Sequence, residues 1–292
     1  MKPAQASSTA KVIAAATILL GSDPRSAAQV APGAAALCRV LLSGGLADRL
    51  LAWSAANPLT HALWRGVERL TLPGIVSHYW HRKRWIEDRC RRAIAKGFGR
   101  VIVLGAGLDS LGLRLSAEMP GLEVIEIDHP ATQAAKRRAL AAGGAAPAAN
   151  LRFIAHDFST GPLPAMLLND RKATLIVIEG VLMYLSPADI ARLFETLHRL
   201  STGPICIVFS FMSIWPDGGS GFRPTSRLIE RWLAWRREPF TWALDPETMA
   251  NFLAAHRFRL VEMALTRQFS APSVTGAPAL EGENLVMCEP GH

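Results

Sequence analysis

The sequence predicts an α/β protein in which helices cover both faces of a mostly parallel sheet. From about residue 98 onward, short apolar runs alternate with stretches of helical spacing, as in successive strand–helix units. Helices are predicted at about 110–118, 130–142 and 187–201, and the last two open with proline, which helices accept in their first turn. The predicted strands are 101–105, 123–128, 151–155, 174–179, 205–211, 258–265 and 284–289.

The last two predicted strands are connected differently from the others. The polar stretch TRQFSAPSVTGAPALEGE between them has no helical pattern. Because a parallel pair needs a crossover, usually a helix, we expect an antiparallel return here. The sheet is therefore predicted to end in an antiparallel strand.

Two segments are predicted to be additions to this core. Residues 1–97 carry Ala-rich helical patterns and are expected to form a helical N-terminal cap on a core at 98–292. Within the core, about 212–243 is turn-rich and then amphipathic, which predicts an inserted lid or a structural excursion. The apolar run VIAAATILLG partly resembles a secretory signal, but it is too short to span a bilayer and the helical pattern continues beyond it. We interpret it as part of the cap.

Composition and charge exclude several function classes. The formal net charge is +8, but the basic residues are scattered and no recognition module accompanies them, so no nucleic-acid partner is expected. Cys38, Cys90, Cys206 and Cys288 lie far apart, without metal-binding or redox spacing. This pattern predicts reduced, buried thiols in a cytoplasmic protein without a metal site or a membrane span.

Functional residues are expected where the strands end, because ligands of open parallel sheets bind beyond the carboxyl ends of the strands. Gly105 and Gly107 follow the first strand and permit a close approach of the backbone to a ligand. Asp128 ends the second strand, about 20 residues further on, where a carboxylate can accept hydrogen bonds from both hydroxyls of a ribose.

The third and fourth strand ends add further groups of this kind. Asp157 and Phe158 follow the third strand, where a carboxylate can bind an adenine amino group and a ring can lie against the base. Glu179 ends the fourth, apolar strand, where a carboxylate without a partner is costly. Each residue has a structural alternative, since Asp128 can cap the next helix and Asp157 a turn. Their order at consecutive strand ends favours a single ligand site.

The glycine turn GAGLDS discriminates between two ligand types. A dinucleotide site takes a third glycine, and Ser110 occupies that position here. Asp109 adds a negative charge that opposes a pyrophosphate at the start of the next helix. The same charge suits a phosphate-free ligand with an ammonium and a sulfonium, such as S-adenosylmethionine. An NAD(P)-dependent oxidoreductase is kept as the alternative.

The strand-end residues named above lie in four stretches of the chain: VIVLGAGLDSLGLRL, EVIEIDHPATQAAKRRAL, HDF and VIEGVLMYLSP. Together they resemble the leucine carboxyl methyltransferase family, in its bacterial branch of small-molecule O-methyltransferases. The resemblance implies a class I methyltransferase fold, Rossmann-like and seven-stranded with the last strand antiparallel, plus the helical cap and the lid. It implies S-adenosyl-L-methionine as cofactor and a small-molecule acceptor, either a carboxylate or a polyketide-like hydroxyl. Protein C-terminal carboxyl methylation and an inactive cofactor-binding scaffold are the alternatives.

The resemblance also implies roles for single residues. Arg82 matches the arginine that binds the cofactor carboxylate, with Arg84 as the other possible match in the stretch HRKR. The remaining implied roles are Gly105, Gly107 and Asp109 along the cofactor, Asp128 at its ribose, Asp157 and Phe158 at its adenine, Glu179 at its methionine end, and Tyr184 near the acceptor.

No catalytic base is predicted. A carboxylate acceptor is already nucleophilic at neutral pH, whereas a hydroxyl needs a base within hydrogen-bond reach. His78, His81 and His156 are the candidates, and none has a paired carboxylate pattern. Arg223 and Arg227 of the predicted lid are candidates for holding an acceptor carboxylate, with a solvated helix face as the alternative.

Overall fold

A seven-stranded mixed sheet forms the centre of the protein. The computed structural model describes residues 8–158, 160–161, 163–164, 171–200, 203–224, 240–269 and 279–291. The strands are β1 (Arg100–Leu104), β2 (Glu123–Asp128), β3 (Leu151–Ala155), β4 (Thr174–Ile178), β5 (Ile205–Met212), β6 (Phe258–Ala264) and β7 (Glu283–Pro290). Their order in the sheet is β3-β2-β1-β4-β5-β7-β6.

The pairing confirms the predicted fold class. The first five strands pair in parallel, whereas β7 runs antiparallel to both of its neighbours, β5 and β6. Every residue of β1 and β4 is buried. Near-continuous runs of Val, Ile and Leu are typical of such strands, because helices cover both of their faces.

Helices surround this sheet in the part of the chain that the structure describes. They are α1 (Ser8–Ser22), α2 (Ala34–Leu41), α3 (Leu46–Ala56), α4 (His61–Thr71), α5 (Ile75–Ala95), α6 (Leu111–Glu118), α7 (Pro130–Ala142), α8 (Pro187–Leu200) and α9 (Met249–Ala255). Within those described ranges, no helix is long and apolar enough to cross a membrane.

The predicted element boundaries agree with the structure to within one or two residues. The strands β2 and β3 and the helix α7 have the predicted bounds. The strand β1 starts and ends one residue earlier than predicted. It ends at Leu104 because Gly105 has a φ of 70° and turns the chain out of the sheet. The four cysteines are buried free thiols, as predicted.

Between residues 8 and 99, five α-helices precede the sheet, where the sequence predicts the cap. Part of the apolar run VIAAATILLG is buried within α1, which contacts α2, α3 and α5. The long helix α5 contacts β4 and β5, so its side chains reach the sheet. Of the predicted lid at 212–243, positions 225–239 lie outside the described residues, and Arg227 with them.

Candidate active site

A cavity of about 520 Å³ lies where the strands end, with α1 forming part of its wall. The structure brings to this cavity all the residues predicted to bind the cofactor, with Arg82 rather than Arg84 as the arginine, and Tyr184 as well; the role of each stays a prediction. These lining residues are Arg82, Gly105, Gly107, Asp109, Asp128, Asp157, Phe158, Glu179 and Tyr184.

The glycine turn after β1 has a backbone that side chains would not tolerate. Gly105 and Gly107 have φ angles of 70° and 51°, in the left-handed region that favours glycine. A Cβ on Gly105 would overlap the side chain of Val181, and one on Gly107 would lie 3.4 Å from the Cβ of Ala10 in α1. The turn therefore leaves its backbone facing the cavity.

Asp128 joins the end of β2 to this turn. Its carboxylate accepts hydrogen bonds from the backbone N–H groups of Gly107 and His129. Burial raises its pKa, and these two hydrogen bonds act in the opposite direction. The helix cap that was the alternative role for Asp128 is provided by His129, whose Nδ1 accepts a hydrogen bond from Ala131 N at 3.2 Å.

Asp157 uses its main chain and its side chain for different purposes. The Asp157 carbonyl accepts hydrogen bonds from the N–H and the Oγ1 of Thr160, which closes the turn that the sequence suggested. Its carboxylate lines the cavity, with Oδ2 at 3.7 Å from the His129 Nε2. Phe158 follows, and its ring meets His156 edge to face, with centroids 5.6 Å apart.

Arg82 lies between two carboxylates. It projects from α5, is almost fully buried, and donates from Nε to Glu179 Oε1 at 2.8 Å and from Nη1 to Glu283 Oε2 at 2.6 Å. Burial alone would lower the pKa of Arg82, but the charges of Glu283 and Glu179 raise it above its usual range. Arg84, the other predicted match, is exposed and lies over the Trp80 ring at 5.2 Å, away from the cavity lining.

Lys83 also lies in the cavity lining, a position that the sequence pattern did not predict. Its Nζ lies 2.9 Å from Asp109 Oδ2 and 2.9 Å from Glu179 Oε1, and the side chain lines the cavity. Although burial opposes ionisation of Asp109, Lys83 holds the pKa of this carboxyl below its usual range. The charge of Asp109 is therefore paired within the protein. The only hint in the sequence was the position of Lys83 between the two arginines.

Behind the cavity, Glu283 anchors this network from β7. Its Oε2 is also 2.9 Å from His78 Nε2, one helical turn before Arg82 on α5. Burial would raise the pKa of Glu283, but Arg82 and His78 hold it at about 2. The predicted strand began at residue 284, so the sequence analysis gave Glu283 no role.

The three histidines considered as bases lie elsewhere. His78 is bound to Glu283, His81 stacks on Phe269 with centroids 4.9 Å apart, and His156 is outside the cavity lining. Burial lowers the pKa of His81. Arg223 also lies outside the lining and binds Asp217 at 2.6 Å, so it is not placed to hold an acceptor here.

Further lining residues come from outside the predicted set. Thr241 is held near Tyr184, because Thr241 N donates to the Met183 carbonyl at 2.7 Å. The helix α1 adds Ile13 and Ala14 to the lining. Thr241 falls within the predicted lid segment, so one described end of that segment reaches the cavity.

Comparison with known proteins places this site in a family. The leucine carboxyl methyltransferase family model matches residues 30–198. A "putative S-adenosyl-L-methionine-dependent methyltransferase" of Mycobacterium marinum is 33% identical over 186 residues, which are 61% of each chain. One of the same description from Saccharopolyspora erythraea is 32% identical over 166 residues, covering 53% of this chain and 57% of the relative. The chain thus spans less than two thirds of the length of these relatives.

A solved structure shares the fold. The crystal structure of a "putative methyltransferase" from Thermobifida fusca covers 88% of this chain and 94% of its own, with a TM-score of 0.53 and 18% identity. At that identity the likeness speaks for the fold alone, and it agrees with the class I methyltransferase sheet described above. The family model, in contrast, matches more than half of the chain. With the sheet order and the motifs at the strand ends, this match shows that the chain belongs to the leucine carboxyl methyltransferase family.

Proposed function

We propose that the protein is an S-adenosylmethionine-dependent O-methyltransferase that acts on a small carboxylic acid. The observation that carries the cofactor assignment is the charge of the cavity lining. Among the residues that the structure describes, four carboxyl groups, of Asp109, Asp128, Asp157 and Glu179, line the cavity together with two cations, Arg82 and Lys83. S-adenosylmethionine bears an ammonium, a sulfonium and one carboxylate, so its net charge is positive. A dinucleotide pyrophosphate would meet the wrong sign.

The residues present fit this cofactor group by group. Asp128 and the glycine turn suit a ribose, and Asp157 with Phe158 suits an adenine. The paired charges of Arg82, Lys83, Asp109 and Glu179 offer both signs, as the amino and carboxylate groups of the methionine end require. The relatives named as S-adenosylmethionine-dependent methyltransferases support the same assignment.

In the reaction, the protein holds the cofactor and the acceptor and shields them from water. When bound, S-adenosylmethionine supplies a methyl group on a sulfonium that leaves as a neutral thioether. The chain positions both reactants in one cavity, and alignment of this kind accounts for much of the rate of such a displacement. The helix α1 forms part of the cavity wall and so limits the access of water to it.

The choice of a carboxylate acceptor rests on the nitrogen and sulfur groups of the cavity lining that could deprotonate a hydroxyl acceptor. Among the described lining residues, Lys83 is held protonated, because Asp109 and Glu179 raise its pKa against the effect of burial. Burial raises the pKa of the Cys38 thiol to about 12. His129 lies between Asp128 and Asp157, on the predicted nucleoside side. A carboxylate is nucleophilic without any of them, whereas a hydroxyl needs a base.

Cofactor binding is the first experiment. Calorimetry with S-adenosylmethionine and with NAD should show binding of the methyl donor alone. Binding of NAD alone would overturn the proposal in favour of an oxidoreductase. The same titration on Arg84→Lys serves as a control, since that residue lies outside the cavity lining.

Transfer of a labelled methyl group then tests the acceptor. The panel pairs apolar carboxylic acids with the corresponding alcohols and phenols, and adds peptides with a free C-terminal leucine. We expect methyl esters of the small acids. Transfer to phenols alone would contradict the carboxylate, transfer to peptides alone would favour protein methylation, and binding without transfer to any acceptor would favour a scaffold.

A further inference from the structure

The helices α3 and α4 of the cap and the turn that joins them expose a row of large apolar side chains. We define the α3–α4 face as Leu46, Leu50, Trp53, Leu59, Leu63, Val67 and Leu70, which are between 49% and 89% exposed. They make up seven of the ten exposed large hydrophobic residues in the described part of the chain. Single exposed apolar residues are normal on a protein surface, whereas a contiguous patch marks an interaction site.

The spacing shows that the face is an ordered feature of two helices. In α3 the exposed residues follow each other at four and three positions, and α4 repeats this spacing. Side chains so spaced lie along one side of a helix. Leu59, at 89% exposure, lies in the short turn that joins the two helices.

The inner sides of the same helices are packed. Ala52 and Ala55 of α3 are buried, and His61 of α4 is buried with its Nε2 at 3.2 Å from the Ala55 carbonyl. The helices also contact each other. The helix α3 therefore buries one apolar side in the protein and turns a second one to solvent, whereas α4 buries His61 and exposes its leucines and Val67.

The exposed charged residues of these two helices are of one sign. Arg49 and Arg69 are exposed on α3 and α4. The two acidic residues of these helices are engaged elsewhere, since Asp48 pairs with Lys11 at 2.7 Å and Glu68 accepts a hydrogen bond from Val76 N at 3.1 Å. Among the described residues of α3 and α4, the exposed charged side chains are thus both arginines, although the charge of Arg69 also acts on the half-buried Glu68 carboxylate.

We propose that the α3–α4 face docks on the surface of an anionic lipid bilayer. Leu and Trp side chains of an amphipathic helix enter the boundary between headgroups and acyl chains, while arginines reach lipid phosphates. A second copy of the chain is a poorer match for this face. In a two-fold dimer the face would pack against its own copy, and the arginines of one copy would approach those of the other. The helix α1, which contacts α3, lines the cavity on its other side, so docking brings the cavity wall near the lipid.

Vesicle flotation of the full chain tests the proposal without cofactor or acceptor, so its outcome is independent of the proposed function. The chain is mixed with phosphatidylcholine vesicles, with or without phosphatidylglycerol. We expect binding to the vesicles that contain phosphatidylglycerol, weakened by salt. Leu63→Ser/Leu70→Ser should reduce it by about tenfold or more, because two exposed anchors are lost.

The matched control is Ile214→Ser/Val261→Ser, which removes two exposed apolar residues outside the α3–α4 face. It should bind as the wild type does, and circular dichroism should show that both variants are folded. Absence of wild-type binding, or equal losses in both variants, would overturn the proposal. A wild-type dimer by light scattering that Leu63→Ser/Leu70→Ser converts to a monomer would assign the face to a second copy instead.

Discussion

Arg82 Nη1 and Glu283 Oε2 form an ion pair at a distance of 2.6 Å, and each of the two side chains is at most 4% exposed to solvent. The partners come from α5 and β7, and Glu283 itself lies outside the cavity lining. Since Arg82 also donates to Glu179, Glu283 fixes the orientation of a guanidinium that faces the cavity. We therefore predict that Glu283 is a positioning residue of the candidate site.

Replacing this buried partner should destabilise the fold. Glu283→Gln is expected to lower the free energy of unfolding by about 3 kcal/mol, because the buried Arg82 charge keeps one carboxylate instead of two. Urea denaturation measures the change. Glu289→Gln on the same strand is the control, since its carboxylate pairs with the exposed Arg259 and its loss should cost less than about 1 kcal/mol. Equal losses would contradict a special role for Glu283.

The effect of Glu283→Gln should also depend on pH. Arg82 and His78, acting against burial, hold the pKa of Glu283 at about 2, below its ordinary value of 4.5. The ionised carboxylate thus stabilises the fold fully above about pH 4.5, and this contribution is lost as the pH falls toward 2. The difference in unfolding free energy between wild type and variant should shrink over this range. A constant difference would show that the charge of Glu283 does not matter.

The register of the cofactor arginine can be decided with one pair of variants. Arg82→Lys should weaken S-adenosylmethionine binding by about tenfold or more, because a lysine cannot bridge Glu179 and Glu283 as the guanidinium does. Arg84→Lys should leave the affinity unchanged, since Arg84 lies over Trp80 on the exposed side of α5. Calorimetry measures both. A larger effect at Arg84 would reverse the assignment.

Asp128→Asn should separate binding from folding. The two oxygens of the Asp128 carboxylate each accept a backbone N–H and an asparagine amide can replace only one of them, so the free energy of unfolding should fall by about 1 to 3 kcal/mol. Affinity for S-adenosylmethionine should fall by about 100-fold, because charge-assisted hydrogen bonds to the ribose are lost. Asp189→Asn on α8 is the control and should bind normally. Near-wild-type affinity in Asp128→Asn would remove this residue from the site.

Much of the fold could be predicted because it depends on local patterns. The apolar runs located the strands, Pro130 marked the start of α7, and the missing helical pattern before β7 indicated its antiparallel direction. The strand-end residues could also be found, since the carboxyl ends of parallel strands meet at one edge of the sheet.

The missed features depend on contacts between distant parts of the chain. Glu283 is 201 residues from Arg82, and no local pattern links the two. The sequence of α3 has apolar residues on more than one side of the helix. It therefore could not show that Ala52 is buried and Leu50 exposed. Lys83 follows Arg82 directly, and only the packing of α5 shows that both reach the cavity.

The position of β7 between β5 and β6 has a consequence for synthesis on the ribosome. The helix α5 emerges early, whereas the carboxylate that fixes Arg82 emerges only when residue 283 has been made. The strand β6 emerges before β7 but has no place beside β5 until β7 inserts between them. The two carboxylate partners of Arg82 therefore leave the ribosome at different times, Glu179 well before Glu283.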